Sequence, residues 1–86
     1  MEYKIGIYTV KAPSKHKNKK YDVYSNGEFI LSFGDSRYEQ YHDKLGYYKD
    51  KDHFDIIRRE KYRKRHHKDH IDNPKYPGYW SYWYLW

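Results

Sequence analysis

Tyr21-Asp22-Val23-Tyr24-Ser25-Asn26-Gly27-Glu28-Phe29-Ile30-Leu31-Ser32-Phe33 contains two short β-prone runs separated by Asn26-Gly27. Asn-Gly is the pair that best tolerates positive φ at both central positions of a type I′ turn, so the stretch predicts a β-hairpin. A two-residue loop fixes the register, with Ser25 opposite Glu28, Tyr24 opposite Phe29 and Val23 opposite Ile30. One face then collects Tyr24, Phe29 and Leu31, the other Tyr21, Val23 and Ile30. Upstream, Tyr3, Ile5, Ile7 and Thr9 alternate with Glu2, Lys4, Gly6 and Tyr8, the period of a single strand. The expectation is a three-stranded antiparallel sheet, at about 2–10, 20–25 and 28–33.

Between strand and hairpin, residues 11–20 (KAPSKHKNKK) carry five lysines and no apolar pattern. The segment reads as a mobile connection, either a solvated loop or a basic finger. Beyond the hairpin, Ser36-Arg37-Tyr38-Glu39 matches a capping box. Tyr38, Tyr41, His42 and Leu45 follow at helical spacing, and Gly46 is placed to close a short helix over about 36–45. His42 is expected there as a hydrogen-bonded core histidine. The stretch Asp52–His70 (DHFDIIRREKYRKRHHKDH) then has helical ends: Asp52 can cap, Asp55 adds negative charge to the first turn, and the Arg/Lys/His cluster falls toward the negative end of the dipole. Phe54, Ile57, Lys61 and Tyr62 would lie on its inner side with Arg58 and Arg65 on the edges, leaving Arg59, Arg63, Lys64 and His67 pointing elsewhere. The last segment, residues 76–86, contains all three tryptophans. Pro77 suits a helix start, and a short helix is preferred over an edge strand. The fold class is therefore α+β, a single domain over 1–86 with two or three short helices covering one face of the small sheet.

A chain of 86 residues buries only about two thirds of its unfolded surface, so its core is thin. Thirteen Tyr, three Trp and three Phe must build that core in place of aliphatic residues. Tyr79, Trp80, Trp83 and Trp86 need cover, within the chain or against a partner, and a homo-oligomer is one way to supply it. Without cysteine, disulfides and thiolate metal sites are excluded. No apolar run approaches the roughly 20 residues of a membrane span, and Met1–Val10 lacks signal-peptide architecture, so a soluble protein without membrane partners is expected. The net charge of +6 is divided as +5 over residues 1–20, −4 over 21–57 and +5 over 58–86. Two basic ends around an acidic middle favour phosphate or an acidic protein surface as partner. The acidic middle can also pair with the basic ends inside the protein.

His66 and His70 are four residues apart, a spacing that can bind zinc on a helix, with Asp69 or His53 available to complete a site. The cationic surroundings disfavour a divalent ion, and no metal is expected. Asp50, Asp52 and Asp55 beside His53 invite comparison with a metal-dependent nuclease, but helix capping accounts for the carboxylates. Phosphate-cradling and nucleophile-elbow motifs are absent. The expectation is a non-enzymatic protein with no catalytic residues and no cofactor.

The blocks Ser32–Tyr41, Asp52-His53, Arg58–His66, Pro77–Ser81 and Leu85-Trp86 give the chain a resemblance over about 21–86. It is similar to a family of short basic proteins encoded by large double-stranded DNA viruses, of the chlorella virus and mimivirus type, and by some tailed phages. The lysine-rich segment before Tyr21 lies outside the likeness. The resemblance implies a viral setting, in the virion and in the host cytoplasm or nucleus during infection, and supplies no catalytic residue. The favoured function is binding of the nucleic-acid backbone, double-stranded DNA first, for genome packaging or condensation. Arg58, Arg59, Arg63, Lys64, Arg65 and Lys68, with Lys15, Lys17, Lys19 and Lys20, would contact phosphate. The alternative is a minor capsid or cement component docking on capsid protein through its Trp/Tyr-rich end.

Overall fold

The computed structural model describes residues 1–86. Four strands, β1 (Glu2–Ile5), β2 (Tyr8–Lys11), β3 (Lys19–Ser25) and β4 (Glu28–Asp35), form one antiparallel sheet in the order β1-β2-β3-β4. A 3-10 turn at Lys49–Lys51 and two helices, α1 (Ile56–His66) and α2 (Pro77–Tyr84), come after the sheet.

The sheet has four strands rather than three because the N-terminal stretch folds back at Gly6-Ile7, pairing Ile5 with Tyr8. Gly6, at φ 59°, occupies the first central position of the two-residue loop, where a type II′ turn needs positive φ. The fold-back shifts the inward set from odd to even residues. Tyr3, Ile5, Tyr8 and Val10 face the core, Ile7 sits at the tip, and Thr9 lies opposite Tyr24 on the other face.

In the Asn26-Gly27 hairpin both turn residues have positive φ, 51° and 77°, and the pairs Ser25–Glu28 and Tyr24–Phe29 form as expected. One step further the register slips: a bulge sets Val23 opposite Leu31, not Ile30. The extra residue reverses the inward and outward positions along the rest of β4. Leu31 and Phe33 therefore join Tyr21 and Val23 in the core, and Ile30 is left exposed.

The core is largely aromatic, as the composition requires. Tyr21 stacks on Phe33 at 5.1 Å, Phe33 on Trp80 at 5.8 Å, and Tyr8 meets Trp80 edge-on at 5.4 Å. Val10, Ala12, Val23, Leu31 and Leu85 fill the gaps. Pro77 opens α2, as its fixed φ favours, and this helix carries Trp80 onto the sheet. The Trp80 indole N–H donates to the Pro74 carbonyl at 2.7 Å, so its one polar atom is paired.

No helix forms over 36–45. The Asp35 carboxylate accepts from the Arg37 backbone N–H and guanidinium, making a turn that displaces the capping box. Three buried polar side chains then hold the irregular segment down. Gln40 is fully buried, while Tyr38, expected on an inner helix face, is 62% exposed. The Asp43 carboxylate accepts from the backbone N–H groups of Leu45 and Tyr48 and from the Tyr21 hydroxyl. The backbone N–H groups of His42 and Lys44 donate to Leu85 and Tyr84, so donors a helix would have used go to the end of α2. Asp52, expected as a helix cap, is turned inward, accepting from the Gln40 amide at 2.6 Å, the Asp43 N–H at 2.7 Å and the His42 ring at 3.0 Å.

Candidate functional site

Helix α1 starts later and ends earlier than the sequence suggests. Its cap is Asp55, whose carboxylate accepts from the N–H groups of Ile57 (3.0 Å) and Arg58 (3.2 Å). Arg63, Lys64, Arg65 and His66 occupy the last turn, where positive charge complements the dipole. No residue of α1 is fully buried. The inner side consists of Arg59, Tyr62, Arg63 and His66, at i, i+3, i+4 and i+7, while Phe54 and Ile57 are each 60% exposed.

Arg59 and Arg63 are therefore anchors and do not face solvent as expected. Both donate Nε–H to the main-chain oxygen of Trp86, at 2.8 and 3.3 Å. The Arg59 guanidinium lies 5.2 Å from the Tyr41 ring, and that of Arg63 lies 4.1 Å from Tyr82 and 5.4 Å from Trp83. Between them Tyr62 stacks on Trp86, 4.2 Å apart and 7° from parallel. A planar guanidinium can stack on an aromatic tail and hydrogen-bond to main chain at once, which an isoleucine cannot. We expect Arg63→Gln to lower stability by about 1 kcal/mol and Lys64→Gln by less than about 0.5 kcal/mol, read by urea denaturation.

The outward side holds Arg58, Lys61, Lys64 and Arg65, with Lys68 just past the helix end, all exposed. Arg58 pairs with Glu39 at 3.1 Å; the other four make no ion pair. Arg58, Lys61 and Arg65 form one wall of a cleft of about 570 Å³, with Lys19, Tyr38 and Glu39 among its other lining residues. Acids at its edge are already engaged. Hydrogen bonds from Arg37 hold the Asp35 carboxyl down at about 2, and Asp69 is paired with His66 at 2.5 Å. The cleft therefore keeps an excess of free cations in Lys19, Lys61 and Arg65.

The N-terminal lysines divide. Lys19 and Lys20 both line the cleft, Lys19 with an exposed side chain. Lys20 is buried, donating from Nζ to the Tyr38 carbonyl at 2.9 Å and to the Gln40 side-chain oxygen, so it does not offer a phosphate contact. Burial pushes its ammonium down to about 8. Lys15 and Lys17 are exposed on a loop that is tied down, contrary to the expectation of a mobile connection. The buried Asp22 carboxylate accepts from the Ser14 hydroxyl (2.5 Å), the Lys15 N–H (2.9 Å) and the Ser32 hydroxyl (2.7 Å), with the His16 ring at 3.0 Å. Burial alone would raise this carboxyl; the hydrogen bonds outweigh it and hold it below the usual range. His16 stacks on Phe29, and this loop thus lies on the sheet face opposite the helices.

Among the C-terminal aromatics, Trp80 is buried, Tyr79 and Trp86 are half-buried, and Trp83 remains 41% exposed with its N–H donated to the Ile71 carbonyl. His66 and His70 do not share a helical face, because α1 ends at His66 and His70 stacks on Tyr76 at φ 55°. No group of three or more His, Asp or Glu side chains is arranged to hold a metal ion. The polar hubs Asp22, Gln40, Asp43 and Asp52 were missed from sequence, where nothing distinguishes them from surface residues. No protein-family model, curated protein or solved structure matches this chain.

Proposed function

We propose that this chain is a small non-enzymatic protein that binds the phosphate backbone of nucleic acid, double-stranded DNA first, without strong sequence preference. The outward side of α1 and the adjoining cleft make the contacts. One observation carries the reading: Lys61, Lys64, Arg65 and Lys68 are exposed and unpaired beside a helix face that is already fixed. Cations presented from an anchored helix lose little freedom on meeting phosphate, and each releases condensed counterions. The setting we propose, in line with the resemblance, is the virion of a double-stranded DNA virus, with genome packaging or condensation as the role. Exposed Trp83 favours a second reading, a capsid component docking through its aromatic end.

Salt separates the two readings. The triple variant Lys61→Gln/Lys64→Gln/Arg65→Gln is expected to bind duplex DNA several-fold more weakly for every sequence, with the slope of log K against log salt flattened by about 2–3. An unchanged affinity in that variant, with its circular dichroism intact, transfers the function to the aromatic end.

A further inference from the structure

Helix α2 packs on one face of the sheet through Trp80, with Leu85 just past its end, and α1 packs on α2; on the other face the Ser14–His16 segment lies against Asp22. On that open face the cross-strand pair Tyr24–Phe29 lies edge-to-face at 5.8 Å. His16 stacks on Phe29 at 4.5 Å and 28°. Phe29 is 42% exposed and the His16 side chain 48%. The imidazole is also held in place, since its Nδ1 is 3.0 Å from the buried Asp22 carboxylate. Lys11 sits 4.7 Å from the Tyr24 ring and pairs with Glu2 at 3.5 Å, while Lys15 and Lys17 flank His16 in the anchored loop and make no ion pair.

We propose that this open face is a binding platform for single-stranded nucleic acid, with unpaired bases stacking on the His16–Phe29 pair beside Tyr24 while Lys15 and Lys17 track the phosphates. Two features together identify the occupant. Ring faces accept flat partners of any sequence, which in nucleic acid means bases released from a duplex. The rim is basic: Glu2 is matched by Lys11 at 3.5 Å, Lys15 and Lys17 make no ion pair, and Asp22 is buried and saturated with hydrogen bonds, so the charge suits a polyanion. Stacking requires aromatic surface already ordered, and the Asp22 hub orders it before ligand arrives. The platform is independent of duplex binding by α1, which packs on α2 on the far side of the sheet.

The test uses fluorescence anisotropy at low salt with the full chain and three labelled probes: an oligothymidine strand, an abasic strand of equal length and charge, and a duplex. Oligothymidine should bind, and the abasic strand should bind at least about tenfold more weakly, because it offers phosphates without bases. The variant His16→Ala/Phe29→Thr should lose about tenfold in oligothymidine affinity while its duplex affinity stays within about twofold. The α1 triple variant should show the reverse pattern. Equal binding of the abasic and thymidine strands, no binding of oligothymidine, or an unchanged affinity in the folded double variant would each overturn the proposal. Should the double variant not fold, the abasic comparison on the parent decides alone. Oligothymidine binding without duplex binding would leave this inference standing and remove the α1 reading.

Discussion

Replacing Trp80 with alanine is expected to cost about 3–5 kcal/mol, the range for deleting a large buried aromatic side chain. Trp80 is 1% exposed, stacks on Phe33 and on Tyr84 (5.4 Å), and meets Tyr8 and Tyr79 edge-on. Truncation opens a cavity between α2 and the sheet, with few aliphatic neighbours to collapse into it. It also leaves the Pro74 carbonyl without its donor. A domain of this size has about 5–10 kcal/mol of total stability, so the variant should be largely unfolded at modest urea. Trp83→Ala removes a ring that is 41% exposed and should cost much less, about 1 kcal/mol. Equal losses at the two positions would mean that α2 is not docked through Trp80.

The second large effect is expected at Asp43. Its carboxylate is 2% exposed and accepts from the Tyr21 hydroxyl and from the N–H groups of Leu45 and Tyr48. Asp43→Ala leaves three inward donors unpaired, and each buried orphan costs about 1–3 kcal/mol, so a loss of at least about 3 kcal/mol is expected. Adding Tyr21→Phe removes one orphan. The double variant should therefore be less destabilised than the sum of the single changes, a coupling that a double-mutant cycle measures. If the two changes add, the Tyr21–Asp43 hydrogen bond is not holding the 36–54 segment to the sheet.

The same hubs set the pH dependence. Burial raises the Asp22 and Asp52 carboxyls, but the hydrogen bonds they accept outweigh it and hold both below their ordinary value. A carboxylate depressed in the fold stabilises it fully above the unfolded value of about 4, and this is lost as pH falls through the folded value, so unfolding in acid is expected. Lys20 acts in the opposite sense. Its folded value is about 8, below the ordinary 10.5, so the unfolded chain holds that proton more tightly and stability rises as pH climbs from about 8. Burial raises the Tyr21 hydroxyl, so its contribution is lost above the ordinary tyrosine value of about 10. Thermal unfolding measured from pH 3 to 11 should thus show a maximum between about 8 and 10.

The legible parts of this fold were those fixed by neighbours in sequence. Asn26-Gly27 specifies its turn from two residues, and Pro77 its helix start from one. Gly6-Ile7 carries the same kind of information, but it interrupts an alternation that a single strand satisfies equally well, so the turn was hidden. The bulge at Ile30 is decided by where Leu31 and Phe33 find Trp80, a partner about fifty residues away. Ser36–Glu39 is a sound capping box locally, yet Asp35 takes the turn and Gln40 is drawn under the sheet edge by Lys20. In α1 the helix was legible and its orientation was not. With so few aliphatic residues, the aromatic C-terminal segment selects arginines as its inner partners, and a hydrophobicity pattern cannot see guanidinium stacking. Of the proposed phosphate contacts, Lys61 is expected from the sequence on the inner face and lies outward instead, while Arg59, Arg63 and Lys20 are drawn inward.

The central claim is tested most directly by the affinity of the unmodified protein for duplex DNA as a function of salt. With about four free cations on the α1 side meeting phosphate, the slope of log K against log salt should lie near −3 to −4, for every duplex sequence tried. A slope near zero, or no binding at low salt, would contradict the claim.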